Sequence, residues 1–133
     1  MVDKPTCLIV DDSRVIREIT IRIISDLDLN AVGVESAQAG LEHCRVNRVH
    51  AVMLDWDLPD MGALDFLRGA ADFAPDAKPQ IILCATENDQ QQFSLARAAG
   101  AAHHILKPYD RSAVESKLYE IGLLQDAAIA ASK

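Results

Sequence analysis

Four charged side chains matter because of where they sit in the sequence. Asp11 and Asp12 follow the apolar run "CLIV" (7–10), Asp55 follows "AVML" (51–54), and Lys107 follows "HHIL" (103–106). Each stands at the end of a segment that reads as a buried strand. Carboxylates brought together raise one another's pKa, so such a group is costly without a cation. Mg²⁺ suits it, being a hard ion that takes oxygen ligands and is content with one or two carboxylates plus water and phosphate. The ammonium of Lys107 can pair with a phosphate oxygen, and its place before Pro108 holds its backbone away from the helical region. A carboxylate can attack phosphorus and become an aspartyl phosphate. A metal and a lysine then offset the charge that develops. Taken singly, the Asp11–Asp12 pair reads as a helix cap. The combination of all four, each at a strand end, is what points to phosphoryl chemistry.

That chemistry requires the strands to stand side by side. Short apolar runs do alternate with longer amphipathic ones along the chain: "AVGVE" (31–35) and "IILCA" (81–85) complete a set of five candidate strands. Between them the spacing predicts helices. The first is opened by Ser13 and runs to about Leu27, with Val15, Ile16, Ile19, Ile23, Ile24 and Leu27 at helical intervals. Ser36 caps a second, which carries Leu41 and Cys44 on one side. A third covers 64–73. Asn88 or Asp89 caps a fourth, which bears Phe93, Leu95 and Ala96 and stops at Gly100. The fifth starts at Asp110 or Ser112, where Ser112 and Glu115 have capping-box spacing, and ends at Gly122. Five βα units with strands this apolar imply an α/β doubly wound parallel sheet covered by helices on both faces. Such sheets place their chemistry at the carboxyl ends of the strands.

Composition narrows the function. Thirteen Lys and Arg against twenty Asp and Glu leave a net charge of −7 across 133 residues, half of them hydrophobic. That excludes a general nucleic-acid binder, which needs a basic face, and no apolar run reaches the ~20 residues of a membrane span. Cys7, Cys44 and Cys84 are odd in number and widely spaced, as expected of reduced, structural thiols. The N-terminus has no signal-peptide pattern, so the expectation is a cytoplasmic protein. A Walker-type phosphate loop and a GxSxG elbow are both missing from the sequence, so a metabolic enzyme is not expected.

The motifs "LIVDDS", "VMLDWDLPDMG" and "ARAAGAAHHILKPYD" resemble the CheY-like receiver domains of two-component response regulators. The resemblance covers about residues 5–123. It implies a flavodoxin/CheY-like five-stranded parallel sheet in the order 2-1-3-4-5 with five helices and a receiver domain over 1–123; the Ala-rich composition of 124–133 reads separately as a tail that extends the last helix. It implies that Asp55 accepts a phosphoryl group from a histidine kinase or phosphotransfer protein. Mg²⁺ would be held by Asp12, Asp55 and the backbone carbonyl of Asp57, with Asp11 acting mainly through water. Lys107 would contact the phosphate, and the Lys107–Pro108 bond would be cis.

The sequence departs from that family in particular places. The Ser or Thr expected thirty positions after the acceptor is Ala85, and Thr86 comes one place later. Strand alternation points Thr86 elsewhere, unless a small bulge lets it serve as the phosphate-binding hydroxyl. His104 stands where Tyr or Phe is usual. It either rotates as a switch, titrates near ~6.5, or simply packs. Since neighbours on a strand face opposite ways, His103 and His104 are not expected to share a metal. Ala63 stands where glycine is expected, and Gly62 comes one place early, which leaves the turn geometry open. Asp57 and Glu87 are candidate modulators of turnover at the site. Trp56 is a partly packed reporter beside Asp55, and Tyr109 is expected to pack with its hydroxyl at the surface.

The expected function is that of a single-domain response regulator whose output is made by its own surface. The face of the fourth helix, fifth strand and fifth helix would meet an output protein through Gln90, Gln91, Arg97, His104, Tyr109 and Lys117, with Phe93 as a further candidate. Two alternatives follow from Ala85 and His104: a phosphorylation-independent interaction module, or a phosphate sink with weakened switching.

Overall fold

A computed structural model describes residues 4–59 and 62–124. The expected helical tail therefore lies almost entirely outside the described residues. Five strands and five helices alternate: β1 (Thr6–Val10), α1 (Arg14–Asp26), β2 (Asn30–Val34), α2 (Ala37–Val46), β3 (Ala51–Asp55), α3 (Gly62–Ala70), β4 (Gln80–Ala85), α4 (Gln90–Ala98), β5 (His103–Leu106) and α5 (Arg111–Glu120). A single 3₁₀ turn, Pro75–Ala77, precedes β4. The sheet is parallel in the order β2-β1-β3-β4-β5. This is the predicted doubly wound fold.

The three central strands, β1, β3 and β4, are buried on both faces, the edge strands β2 and β5 only partly, and strand alternation builds two cores. Leu8, Val10, Val52, Leu54, Ile81, Leu83 and Ala85 face α2, α3 and α4, where they meet Leu41, Phe66, Leu67 and Phe93. Cys7, Ile9, Ala51, Met53, Ile82, Cys84 and Ile105 face α1 and α5, where they meet Ile24, Val114 and Leu118. All three cysteines are buried and free. Burial pushes the Cys7 thiol up to about 12 and that of Cys44 to about 11, so neither carries the thiolate that reactivity needs.

Helix starts follow the expected caps in most cases. Ser13 accepts from the Ile16 N–H, Ser36 from Ala39, and Asp89 from Gln91 and Gln92. At α5, Asp110 caps the Ala113 N–H. Ser112 lies inside that helix, so its capping-box spacing with Glu115 is not used. Helix α3 begins at Gly62 rather than Leu64 and ends at Ala70 rather than Phe73.

Some expected core positions face solvent. Val15 is 64% and Ile19 51% exposed, and Leu95 is also exposed. The buried stripe of α1 runs instead through Thr20 and Ile24, so the apolar positions outnumber those the sheet covers. The turn question at "PDMGA" resolves at Gly62, which takes φ +76° and meets no neighbour that a Cβ would strike. Glycine supplies the left-handed backbone there, and Ala63 is an ordinary buried helical residue.

Candidate functional site

The sheet order brings three strand ends together. β1 and β3 are hydrogen-bonded neighbours, so Asp11, the residue after β1, and Asp55, the last of β3, stand side by side. Only 2% of Asp11 and 3% of Asp55 is exposed, whereas Asp12 turns outward. Carboxylate oxygens of all three lie within 4.8 Å of one another. Lys107 leaves the end of β5, two strands from β3, and its backbone N–H donates to the Ala85 carbonyl at 2.7 Å. Its long stem then carries the ammonium across β4. Nζ lies 2.9 Å from Asp11 Oδ2 and 3.0 Å from Asp55 Oδ1. The Lys107–Pro108 peptide is cis.

The two buried acids are held by further donors. Asp11 Oδ1 accepts from the Ser13 N–H at 2.9 Å, and Arg17 donates to the Asp11 carbonyl at 2.8 Å. Asp55 Oδ1 accepts from Lys107 and, at 3.2 Å, from the Asp57 N–H. Among the described residues Asp55 Oδ2 has no donor, and no buried side-chain oxygen is left unpartnered; Oδ2 is therefore the oxygen open to solvent. The Trp56 N–H donates to the Cys84 carbonyl at 2.9 Å, which fixes the start of the loop after β3.

Burial is the largest influence on Asp55 and pushes its carboxyl above the ordinary aspartate range. The Lys107 hydrogen bond and charge pull downward without cancelling this, and Asp11 adds to the rise. Burial also works against the Lys107 ammonium, but its bonds to Asp11 and Asp55 outweigh that penalty and raise its pKa. Two nearly buried carboxylates thus share one ammonium, and the exposed carboxylate of Asp12 adds a third negative charge beside them. An all-oxygen donor set with excess negative charge and one outward carboxylate fits a hard divalent cation that keeps several waters. Residues 7–119 match the family described as "response regulator receiver domain".

The chain belongs to that family.

Receiver domains are the regulatory switches of two-component systems: they accept phosphoryl groups, typically bind Mg²⁺ at an acidic pocket, and interact with histidine kinases or phosphotransfer proteins. This receiver is 28% identical over 113 residues to the chemotaxis protein CheY1 of Helicobacter pylori, covering 84% of the chain and 91% of that protein. It is 28% identical over 106 residues to the two-component response regulator ORR3 of rice, covering 79% and 81%. Among solved structures it is similar to the chemotaxis response regulator CheY4 of Vibrio cholerae, with TM-score 0.83, 19% identity, and coverage of 89% and 98%. A CheY-like receiver from Methanospirillum hungatei gives TM-score 0.81 at 24% identity, covering 89% and 93%. The two solved structures show the shared fold.

The remaining candidates of this receiver fall into distinct places. Ala85 is buried at the end of β4. The next residue, Thr86, has left the strand and is no longer bound by its alternation. Its hydroxyl turns toward the site and donates to Asp57 Oδ2 at 3.3 Å. Glu87 is exposed beyond it. His104 stacks on Phe93, with ring centroids 4.0 Å apart and planes 17° apart. Burial, then the charges of Lys117 and Arg97, holds His104 below the ordinary histidine range. Phe93 is therefore core, not surface. Gln90, Gln91 and Arg97 are exposed, while His104 and Lys117 are half-buried.

Tyr109 corrects an expectation. Its hydroxyl points inward and shares a 2.8 Å hydrogen bond with Thr20, whose own hydroxyl donates to the Ile16 carbonyl at 2.7 Å and so accepts from the tyrosine. A buried hydroxyl requires such a partner, and this one ties the loop after β5 to α1. Arg17 was also not foreseen: nothing in the sequence marks an arginine that reaches back to the Asp11 carbonyl. Of the chemical groups, the structure brings Asp11, Asp12, Asp55 and Lys107 together, with Asp57 and Thr86 at the rim. The Gln90, Gln91, Arg97 and Lys117 side chains lie apart from them on α4 and α5.

Proposed function

We propose that Asp55 is the phosphoacceptor and that the chain works as a response regulator whose receiver spans residues 1–123. The observation that supports this most is the joint grip of Lys107 on Asp11 and Asp55 inside the three-carboxylate cluster. Oδ2 of Asp55 is the attacking oxygen. As it bonds to phosphorus, the P–N bond of a donor phosphohistidine breaks, and the imidazole, already protonated on its other ring nitrogen, leaves with the bonding pair as the neutral base. Asp11, Asp12, Asp55 and the Asp57 backbone carbonyl would hold Mg²⁺, which supplies charge neutralisation to the phosphoryl oxygens. Lys107 gives up part of its contact with Asp55 and pairs with a phosphoryl oxygen, while Asp11 keeps it aimed.

The donor is a histidine kinase or phosphotransfer protein, and the compartment is the cytoplasm. Output is carried to a protein partner by the face of α4, β5 and α5, through Gln90, Gln91, Arg97, His104, Tyr109 and Lys117. Tyr109 contributes its ring edge to that face, since its hydroxyl is committed to Thr20. Chemotaxis, named for two of the similar proteins, is the kind of pathway this reading suits.

Trp56, half-buried beside Asp55, gives a direct test. Mg²⁺ is expected to change its fluorescence, and beryllofluoride, a stand-in for the phosphoryl group, to change it further. Asp55→Asn is expected to abolish the second response. A beryllofluoride response that survives Asp55→Asn would count against this assignment. A second reading is favoured by Ala85, which offers no hydroxyl: a module whose partner binding ignores phosphorylation. Calorimetry of that binding with and without beryllofluoride separates the two.

A further inference from the structure

Resting on the phosphoacceptor reading, the geometry points to Asp57 as an internal competitor with the phosphoryl group for the Thr86 hydroxyl at the rim of the site. Ala85, at the end of β4, has no donor to offer. Thr86 has one proton to give, and that proton is given to Asp57 Oδ2. Asp57 touches both sides of the site, because its backbone N–H donates to Asp55 Oδ1 while its carboxylate holds Thr86. The bond thus latches the loop after β3 to the loop after β4.

The segment held by this latch is short and bounded. On one side the Ala85 carbonyl is fixed by the Lys107 N–H at 2.7 Å. On the other, Asp89 is fixed as the cap of α4 by the Gln91 and Gln92 N–H groups. Only Thr86, Glu87 and Asn88 lie between these anchors, and all three are exposed. A phosphoryl group on Asp55 brings two effects to this point. Its oxygens are strong acceptors, and its charge repels the Asp57 carboxylate. Thr86 then exchanges Asp57 for a phosphoryl oxygen, and the three-residue segment follows its hydroxyl. Asp57 is a positioning residue in this account: it acts through Thr86 and sets how readily the phosphoryl state captures the segment.

A double-mutant cycle read by beryllofluoride affinity, with Trp56 fluorescence as the signal and Mg²⁺ held constant, tests the latch. Asp57→Ala keeps the backbone carbonyl and frees the hydroxyl, so affinity is expected to rise about tenfold, as loss of a hydrogen bond to a charged group implies. In the Thr86→Val background the same substitution is expected to give a clearly smaller gain, the part owed to charge repulsion, and Thr86→Ser is expected to restore the full gain. Equal gains with Thr86 and with Val at that position would mean that Asp57 acts by charge repulsion alone, and would overturn the latch while leaving the acceptor assignment intact. An unaltered chain that gives no beryllofluoride response would overturn the acceptor assignment and the latch together, which is a different result.

Discussion

Lys107→Ala is expected to destabilise the fold by about 3 kcal/mol in metal-free buffer, and Mg²⁺ is expected to return much of the loss. The ammonium bridges two nearly buried carboxylates and is itself only 14% exposed at the side chain. Removing one partner of a buried ion pair strands the other charge, at a cost of about 3–5 kcal/mol. The low end applies here because the site opens to water on the Asp12 side. A divalent cation at the same oxygens supplies the missing charge, so urea midpoints of the Lys107→Ala chain should rise with Mg²⁺ more steeply than those of the unaltered chain. Acid should also help, because Asp55 takes up a proton more readily once its ammonium is gone. A Lys107→Ala chain as stable as the parent in metal-free buffer would show that the bridge is not part of the fold's support.

The opposite sign is expected at Asp55. Its folded pKa lies above the ordinary aspartate value because burial outweighs the Lys107 bond. A carboxyl raised in the folded state costs stability at neutral pH. As pH falls through its folded pKa, the folded chain takes up the proton first and gains stability, and the gain is complete below the unfolded value. Asp55→Asn removes that cost. It should raise the melting point at neutral pH by about 4 °C, equivalent to about 1 kcal/mol, and flatten the acid-side gain. His50 and His104, both held below the ordinary histidine range, lose stability as pH falls below ~6.5. They do so equally in both chains, so the difference between the two melting curves isolates Asp55. Mg²⁺ should stabilise the unaltered chain and have little effect on Asp55→Asn. A lower melting point for Asp55→Asn in metal-free buffer would contradict the electrostatic account.

What the sequence disclosed follows from what is local. "CLIV", "AVML" and "IILCA" are apolar enough to declare strands buried on both faces, and Ser13, Ser36 and Asp89 cap helices through contacts two or three residues away. The acid cluster was legible because strand ends are positions along the chain, and a parallel sheet puts them at one edge. What escaped was set by distant partners. Thr20 and Tyr109 are 89 residues apart, so nothing near Tyr109 tells its hydroxyl to turn inward. Val15 and Ile19 keep helical spacing, but only the packing angle of α1 decides which part of its apolar arc meets the sheet. Thr86 stayed open between two directions because alternation governs a strand only up to its last residue, and β4 ends at Ala85. Phe93 and His104 could not be paired before α4 was placed against β5.

The measurement that bears most directly on the central claim is the intact mass of the protein incubated with acetyl phosphate and Mg²⁺, sampled by rapid quench from seconds to an hour. The account predicts a gain of one phosphoryl group in the unaltered chain, a much smaller gain when Mg²⁺ is withheld, and none in Asp55→Asn. A gain of equal size in Asp55→Asn, or no gain at any time in the unaltered chain with Mg²⁺ present, would contradict it.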